Sequence, residues 1–259
     1  MEHADALAGF EIGLFVAAAT VMGLGGFVKG AVGFALPMIS IAGLGSFLTA
    51  QEAVAVLIIP TFLSNLWQTL RQGPLAAIWT LKEFWRLNIM MALTIGVVAQ
   101  LVPRISSGTL FVTLGVVVTV AAGLQLWGWR PQAPKTGPGR TASEVAAGLI
   151  AGITGGISGV WGPPVLFFLI ALATPKIEMI RAQGIAYLLG SVILVGAHLQ
   201  SGLLNAVTIP FSLAMCLPVA AGMALGLAVQ DRLDQRLFRR MTLAVLCIAG
   251  LNLLRRGLF

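Results

Sequence analysis

Hydrophobic residues in this chain come in long blocks, and polar positions fall between the blocks instead of alternating within them. Apolar stretches run over roughly 9–28, 31–48, 52–70, 84–102 and 107–127, and again over roughly 143–156, 160–173, 179–199, 205–229 and 239–254. Each is a candidate membrane helix or part of one, because the hydrocarbon core takes about 20 residues of helix. Between the two sets lies a hydrophilic stretch with Pro131, Pro134, Lys135, Gly137, Pro138 and Arg140, the composition of a linker. The pattern predicts an all-α polytopic membrane protein. It has an N-terminal membrane repeat over 1–129, a cytoplasmic linker over 130–142 and a C-terminal membrane repeat over 143–259.

The two sets repeat one another. At an offset of 126 residues Gly26, Gly30, Gly33 and Pro37 fall on Gly152, Gly156, Gly159 and Pro163, and Glu52 falls on Glu178. Further on, Arg104 pairs loosely with Arg232. Paired hydrophobic segments broken by Gly and Pro in matching halves are the best sequence pointer to a transporter's binding site. Residues 9–48 would make one helix of about 60 Å, twice the hydrocarbon core. Each copy must therefore turn back at its break, as a tight hairpin or a re-entrant loop. That gives about five membrane elements per copy, and an odd number inverts the second copy.

The basic residues point the same way. Five elements plus five put Arg71, Lys82, Arg86, Arg130, Lys135, Arg140, Lys176, Arg181, Arg232, Arg236, Arg239 and Arg240 on one side, twelve of the sixteen Lys and Arg. Four plus four would leave no bias. Cytoplasmic loops carry the positive excess, so two inverted repeats with both termini outside are predicted.

Composition narrows the classes that remain. Apolar residues make up 58% and charged residues 10% of the 259, and mean hydropathy is +0.96, values that belong in a bilayer. A net charge of +7 would suit nucleic acid, but the bases are scattered between apolar spans and read as orientation signals, so no nucleic-acid partner is expected. Cys216 and Cys247 lie in apolar runs on different expected helices, which argues against a structural disulfide. Glu2 and Asp5, with no basic n-region, argue against a cleavable signal peptide. No G-x-x-x-x-G-K-[ST] motif occurs, so no ATP site is expected, and neither are catalytic residues, a metal or a cofactor.

The breaks carry the candidate chemistry. A helix broken at membrane depth exposes backbone groups that lipid cannot satisfy, so it must be buried in protein or line a wet cavity. Pro37 and Pro163 suit the first turn of a new helix, and each would begin a half-helix of about ten residues. Free N–H groups and the helix dipole make an anion site there, and two such ends could hold a small oxyanion between them. Tight helix packing is the other reason for glycine at these positions.

Lys29 is basic and far from any expected loop, and an ionisable residue at membrane depth is a functional hypothesis by default. Snorkelling to the interface is the alternative. Its copy-two counterpart is Gly155, so the repeat does not require a lysine. Asn65 and Ser191 share the 126-residue offset at mid-span, where they line the path or bond between helices. Arg181 and Gln183 lie just inside the next span, facing the cavity or, for Arg181, pairing with Glu178. Thr49-Ala50-Gln51-Glu52 reads as a capping box, and Glu178 as a first-turn acid after Thr174-Pro175. The expected substrate-binding set is Lys29, Gly30, Gly33, Pro37, Gly156, Ser158, Gly159, Pro163, Asn65, Ser191 and Gln183.

Gly30-Ala31-Val32-Gly33-Phe34-Ala35-Leu36-Pro37, with Gly155-Gly156-Ile157-Ser158-Gly159-Val160-Trp161-Gly162-Pro163-Pro164 in the second copy, resembles the TauE/SafE family of membrane transporters, often called sulfite exporters. The likeness spans nearly the whole chain. It implies movement of sulfite, sulfoacetate, other organosulfonates or other small anions across a bacterial membrane. With the broken half-helices it predicts a secondary transporter, an exporter, working by alternating access at a midplane site between two repeats. The membrane potential or the proton gradient would drive it. Expected partners are the small anion and the lipid bilayer, and a homo-oligomer is compatible with the sequence. The expected setting is the bacterial cytoplasmic (inner) membrane, multi-pass, with both termini periplasmic.

Two rival readings stand beside this one. A passive anion channel on the same fold needs the same polar path. Gly156-Ile157-Ser158-Gly159 with His198 also resembles the serine and histidine motifs of rhomboid intramembrane proteases. Against the protease, the first copy has Val32 where the second has Ser158, and the matched proline break continues past it.

Overall fold

The computed structural model describes residues 12–99, 107–128, 132–158, 161–229 and 235–258. Among them all regular structure is helical. The first half holds α1 (Ile12–Val32), α2 (Leu36–Leu44), α3 (Ala50–Leu70), α4 (Pro74–Glu83), α5 (Trp85–Ala99) and α6 (Ser107–Leu126). The second half holds α7 (Gly137–Ser158), α8 (Gly162–Ala171), α9 (Lys176–Gln200), α10 (Thr208–Ala214), α11 (Cys216–Val229) and α12 (Gln235–Leu258). Three pairs match in length copy to copy: 21 and 22 residues for α1 and α7, 9 and 10 for α2 and α8, 15 and 14 for α5 and α11. The residues of the loose Arg104–Arg232 pairing lie outside the described residues.

Four segments among those described are long and apolar enough to cross a membrane: Ile12–Val32, Gln51–Leu70, Ile177–Gln200 and Thr208–Val229. The chain is a multi-pass helical membrane protein. The half-helices α2 and α8 are too short to cross, since 9 and 10 residues reach only about 14–15 Å. α2 folds back on α1. A side chain at Gly25 would lie 2.9 Å from Leu36 Cδ1 and 3.2 Å from Ser40 Oγ, and one at Gly43 would lie 2.6 Å from Val21 Cγ1. Rising numbers on one helix meet falling numbers on the other, which is the antiparallel hairpin expected at the first break.

Three boundaries differ from the hydropathy reading. Most of the expected 71–86 loop is α4, started by Pro74 after Gly73 at φ +92°. It escapes a hydropathy scan because it is short and carries Lys82 and Glu83. Its Trp79 is exposed, with Lys82 Nζ 5.3 Å from its ring centroid. The expected 205–229 span is two helices, α10 and α11, separated at Met215. α7 begins at Gly137, inside the expected 130–142 linker, so Arg140 rides on a helix.

The chain forms two compact units that cut across the halves. The first unit takes α1, α2, α3 as far as Ser64, α9 from Leu194, α10 and α11; the second takes α3 from Asn65, α4 to α8, α9 as far as Ile193, and α12. Each unit thus joins the broken hairpin of one copy to the fifth helix of the other. In the first, a Cβ at Gly26 or Gly30 would collide with the Val219 or Met223 carbonyl, and one at Gly222 or Gly226 with the Gly23 or Phe27 carbonyl. In the second, a Cβ at Gly148 would lie 2.7 Å from the Leu87 carbonyl oxygen and one at Gly152 2.9 Å from that of Met91. Gly26 and Gly152 are offset partners, so the same contact is made twice. Steps of four residues on one helix match steps of four on the other, which makes both pairings parallel. Lipid gives apolar helices no reason to associate by hydrophobicity, so this backbone approach, open only to glycine, is what holds them.

This packing separates two kinds of glycine. Gly222→Leu should drive α11 off α1 and lower stability by about 3 kcal/mol or more, whereas nothing lies within 4 Å of a Cβ at Gly96. Gly96→Ala should leave stability unchanged or raise it by up to about 1 kcal/mol. Thermal unfolding of the purified protein in detergent measures both, and equal tolerance would contradict the packing.

Candidate functional site

Each break leads into a short helix with proline in its first turn. In the first, α1 ends at Val32 and Gly33 follows at φ +86°, its N–H bonding the Lys29 carbonyl at 2.7 Å. Only glycine takes that left-handed conformation without cost. Ala35 is also left-handed, at φ +82°, and α2 then starts with Pro37 in its first turn. An alanine held there stores strain of about 1–2 kcal/mol. In the second, α7 ends at Ser158, and α8 starts at Gly162 with Pro163 in its first turn. Gly159 lies outside the described residues, as do the side-chain positions of Ser158 and Pro163.

Lys29 occupies the last turn of α1 and is 2% exposed. It follows Gly25 by one turn, so it shares the face that Gly25 turns toward α2. Its counterpart region in the second copy is filled differently. Trp161, 4% exposed, packs on Gly155 and Gly190; a Cβ at those glycines would lie 3.0 Å and 2.8 Å from its ring. Gly30 turns its open side to the backbone of α11, which accounts for glycine there by packing. Gly156 is buried in α7.

The second unit also holds a polar seam between α3 and α9. Asn65 Nδ2 donates to the Tyr187 carbonyl at 3.0 Å, Gln68 Nε2 to the Ile180 carbonyl at 2.8 Å, and Gln72 Nε2 to the Ile177 carbonyl at 3.4 Å. Asn65 therefore bonds between helices. Ser191 instead turns back on its own helix, donating to the Leu188 carbonyl at 2.8 Å. Arg181 reaches Thr80 Oγ1 at 2.5 Å through Nε and Gln72 Oε1 at 2.6 Å through Nη1. Gln183 is 1% exposed. The Tyr187 hydroxyl donates to the carbonyl of Gly162, the first residue of α8, at 3.3 Å.

Of the expected set, Lys29, Gly30, Gly33 and Pro37 belong to the first unit, and Gly156, Ser158, Pro163, Asn65, Gln183 and Ser191 to the second. Ser158 and His198, the protease pair, fall in different units. Glu52 is a capping residue. Its Oε2 accepts from Thr49 N at 2.9 Å and Thr49 Oγ1 at 2.7 Å, while its own N–H donates to Thr49 Oγ1 at 3.3 Å.

The model of one family, described as sulfite exporter TauE/SafE, matches residues 17–253. No curated protein and no solved structure matches the chain.

Several buried polar residues were not singled out from the sequence. Glu144 is fully buried on α7. Its Oε1 accepts from Leu87 N at 3.4 Å near the start of α5, and its Oε2 faces Arg86 at 3.7 Å and Arg140 at 3.6 Å. It is the lone acid between Glu83 and Glu178, a signal the sequence did offer. Gln68, Thr69 and Gln72 follow Asn65 at helical spacing, a polar stripe equally visible. Ser212 answers a different need. Pro60 inside α3 has no N–H, so the Val56 carbonyl four residues back loses its helical donor, and Ser212 Oγ donates to it at 2.9 Å.

That compensation is measurable. Ser212→Ala should cost about 1–3 kcal/mol by leaving a buried carbonyl unpaired. In a Pro60→Ala background the restored backbone N–H serves Val56, and the cost of Ser212→Ala should fall below about 0.5 kcal/mol. Equal costs in both backgrounds would show that Ser212 does not stand in for the missing N–H.

Proposed function

This chain belongs to the sulfite exporter TauE/SafE family, and we propose that it is a secondary transporter exporting small anions such as sulfite, sulfoacetate or other organosulfonates. The family's members are transporters and not enzymes. The observation that carries the reading is Lys29, 2% exposed in the last turn of a membrane-length helix, beside a re-entrant half-helix that starts with proline. A buried ammonium and the open N-terminus of α2 both favour negative charge. The strained Ala35 between them supports a working site, because such strain persists where surrounding structure holds it for a purpose.

In this reading Lys29, Gly33, Pro37 and the α2 N-terminus make an anion-binding end within the first unit, and Gly156, Ser158, Gly159 and Pro163 make the corresponding end within the second. Gln183 lines the route, and Asn65 and Ser191, bonded to backbone carbonyls, hold the helices beside it. Gly30 brings α11 close enough to enclose the site. The two copies are inverted about an axis in the membrane plane. The parallel pairings support this. By alternation α1 and α5 run oppositely within a copy, and an uninverted second copy would make α11 run against α1; instead it runs with it. Transport is by alternating access. The termini are periplasmic and the membrane is the bacterial inner membrane. No cofactor takes part. A monoanion leaving a cell that is negative inside gains about 2.3 kcal/mol per 100 mV, so the potential or a proton gradient suffices as driver.

Binding tests the reading without a flux assay. A thermal-shift screen of the purified protein against sulfite, sulfoacetate, taurine, sulfate and small carboxylates should show stabilisation by the sulfur oxyanions, since a ligand raises the melting point by binding the folded state. Lys29→Met keeps the volume and should weaken that binding by about tenfold or more while the protein still inserts and folds. Wild-type affinity in Lys29→Met would remove the lysine from the site.

A further inference from the structure

Positions 180, 183, 184 and 187 of α9 share one face, and that face lies against Asn65, Gln68, Thr69 and Gln72 of α3. Gly184 permits the approach: a Cβ there would lie 3.1 Å from both Gln68 Cγ and Thr69 Oγ1. At the ends of the seam the amides of Asn65 and Gln72 reach α9 carbonyls, and Arg181 closes one end on Thr80 and Gln72. Between them Gln68 Nε2 donates to the Ile180 carbonyl at 2.8 Å, but two neighbouring side chains have no such bond. Gln183 is 1% exposed, and neither its Oε1 nor its Nε2 has a hydrogen-bond partner among the described residues. Thr69, 5% exposed, likewise has no partner for Oγ1.

A buried amide without partners is held at a loss unless something else supplies them. The duplication shows that the fold does not need polarity here. The residues offset from Gln183 and Thr69 by 126 are Leu57 and Val195, so the other copy builds the same helices with apolar side chains at these positions.

We propose that Gln183 and Thr69 form a neutral hydrogen-bonding subsite for the transported anion, selecting oxyanions that still carry a donor hydrogen. This rests on the reading that the cargo is a small oxyanion. The selectivity follows from valence. The Gln183 amide offers two N–H donors and one acceptor, and the Thr69 hydroxyl offers both. A bare oxyanion has acceptors only, so it pairs with the donors and leaves Gln183 Oε1 facing negative charge. Hydrogensulfite, or a sulfonate bearing a hydroxyl or ammonium group, satisfies both atoms. A site built to pair a hydroxyl discriminates against the analogue that lacks it, because its own buried group is then left unpaired.

Two sulfonates of equal charge and similar size test this on the full-length protein: 2-hydroxyethanesulfonate and ethanesulfonate, with affinities measured by calorimetry. Wild type should bind the hydroxyl form roughly three- to tenfold more tightly. Gln183→Leu and Thr69→Val, each copying the residue of the other repeat, should reduce or abolish that preference while melting no lower than wild type in the absence of ligand. A preference retained in both variants, or variants that melt well below wild type, would make the pair structural and overturn the subsite. Equal binding of the two sulfonates by wild type also overturns it, yet leaves the anion cargo standing. Binding of neither sulfonate would take down both the subsite and the reading it rests on.

Discussion

Two helices embedded in lipid gain nothing from hiding apolar surface, because the surroundings are as apolar as they are. What remains is contact, and contact between backbones requires the absence of side chains. Here that requirement is met twice, by Gly26 and Gly30 against α11 and by Gly148 and Gly152 against α5. Each contact ties the broken hairpin of one copy to the fifth helix of the other. Neither copy is a compact unit by itself. The hairpins also depend on these contacts, since a broken backbone in lipid must be enclosed by protein.

Much of this was legible in the sequence because glycine and proline leave periodic marks that hydropathy does not blur. The 126-residue offset identified both breaks, and the half-helices carry Pro37 and Pro163 in their first turns, as proline predicts. The capping box at Thr49–Glu52 was equally plain. The α4 helix was hidden because it is short and charged at its end, and hydropathy reports solvation and not helicity. The interrupted run of α10 and α11 was hidden for the opposite reason: both are apolar, and nothing in the pattern marks Met215. Gly30 shows a subtler limit. Sequence could say that no side chain fits there, but whether an anion or α11 fills the space depends on a partner nearly two hundred residues away.

The scaffold is duplicated and its chemistry is not. Lys29, Pro60, Glu144 and Gln183 have Gly155, Ala186, Ala18 and Leu57 at the corresponding places. Charged and polar groups inside a membrane are costly, so a copy that lacks them shows which ones the fold can do without. Lys29 and Gln183 are the two assigned to the proposed binding chemistry. Pro60 and Glu144 each come with a local partner, Ser212 in one case and the Arg86–Arg140 pair in the other, and they shape helices.

As proposed, this chain moves a small sulfur oxyanion uphill when given an electrical or proton gradient. Purified protein reconstituted into liposomes, with a potassium diffusion potential or a pH step imposed, measures that directly from labelled sulfite on each side. The account predicts saturable accumulation, approaching about tenfold on the positive side for a monoanion across ~60 mV, and collapse when the gradient is discharged. Flux that is linear in concentration and never exceeds equality under either gradient would contradict it.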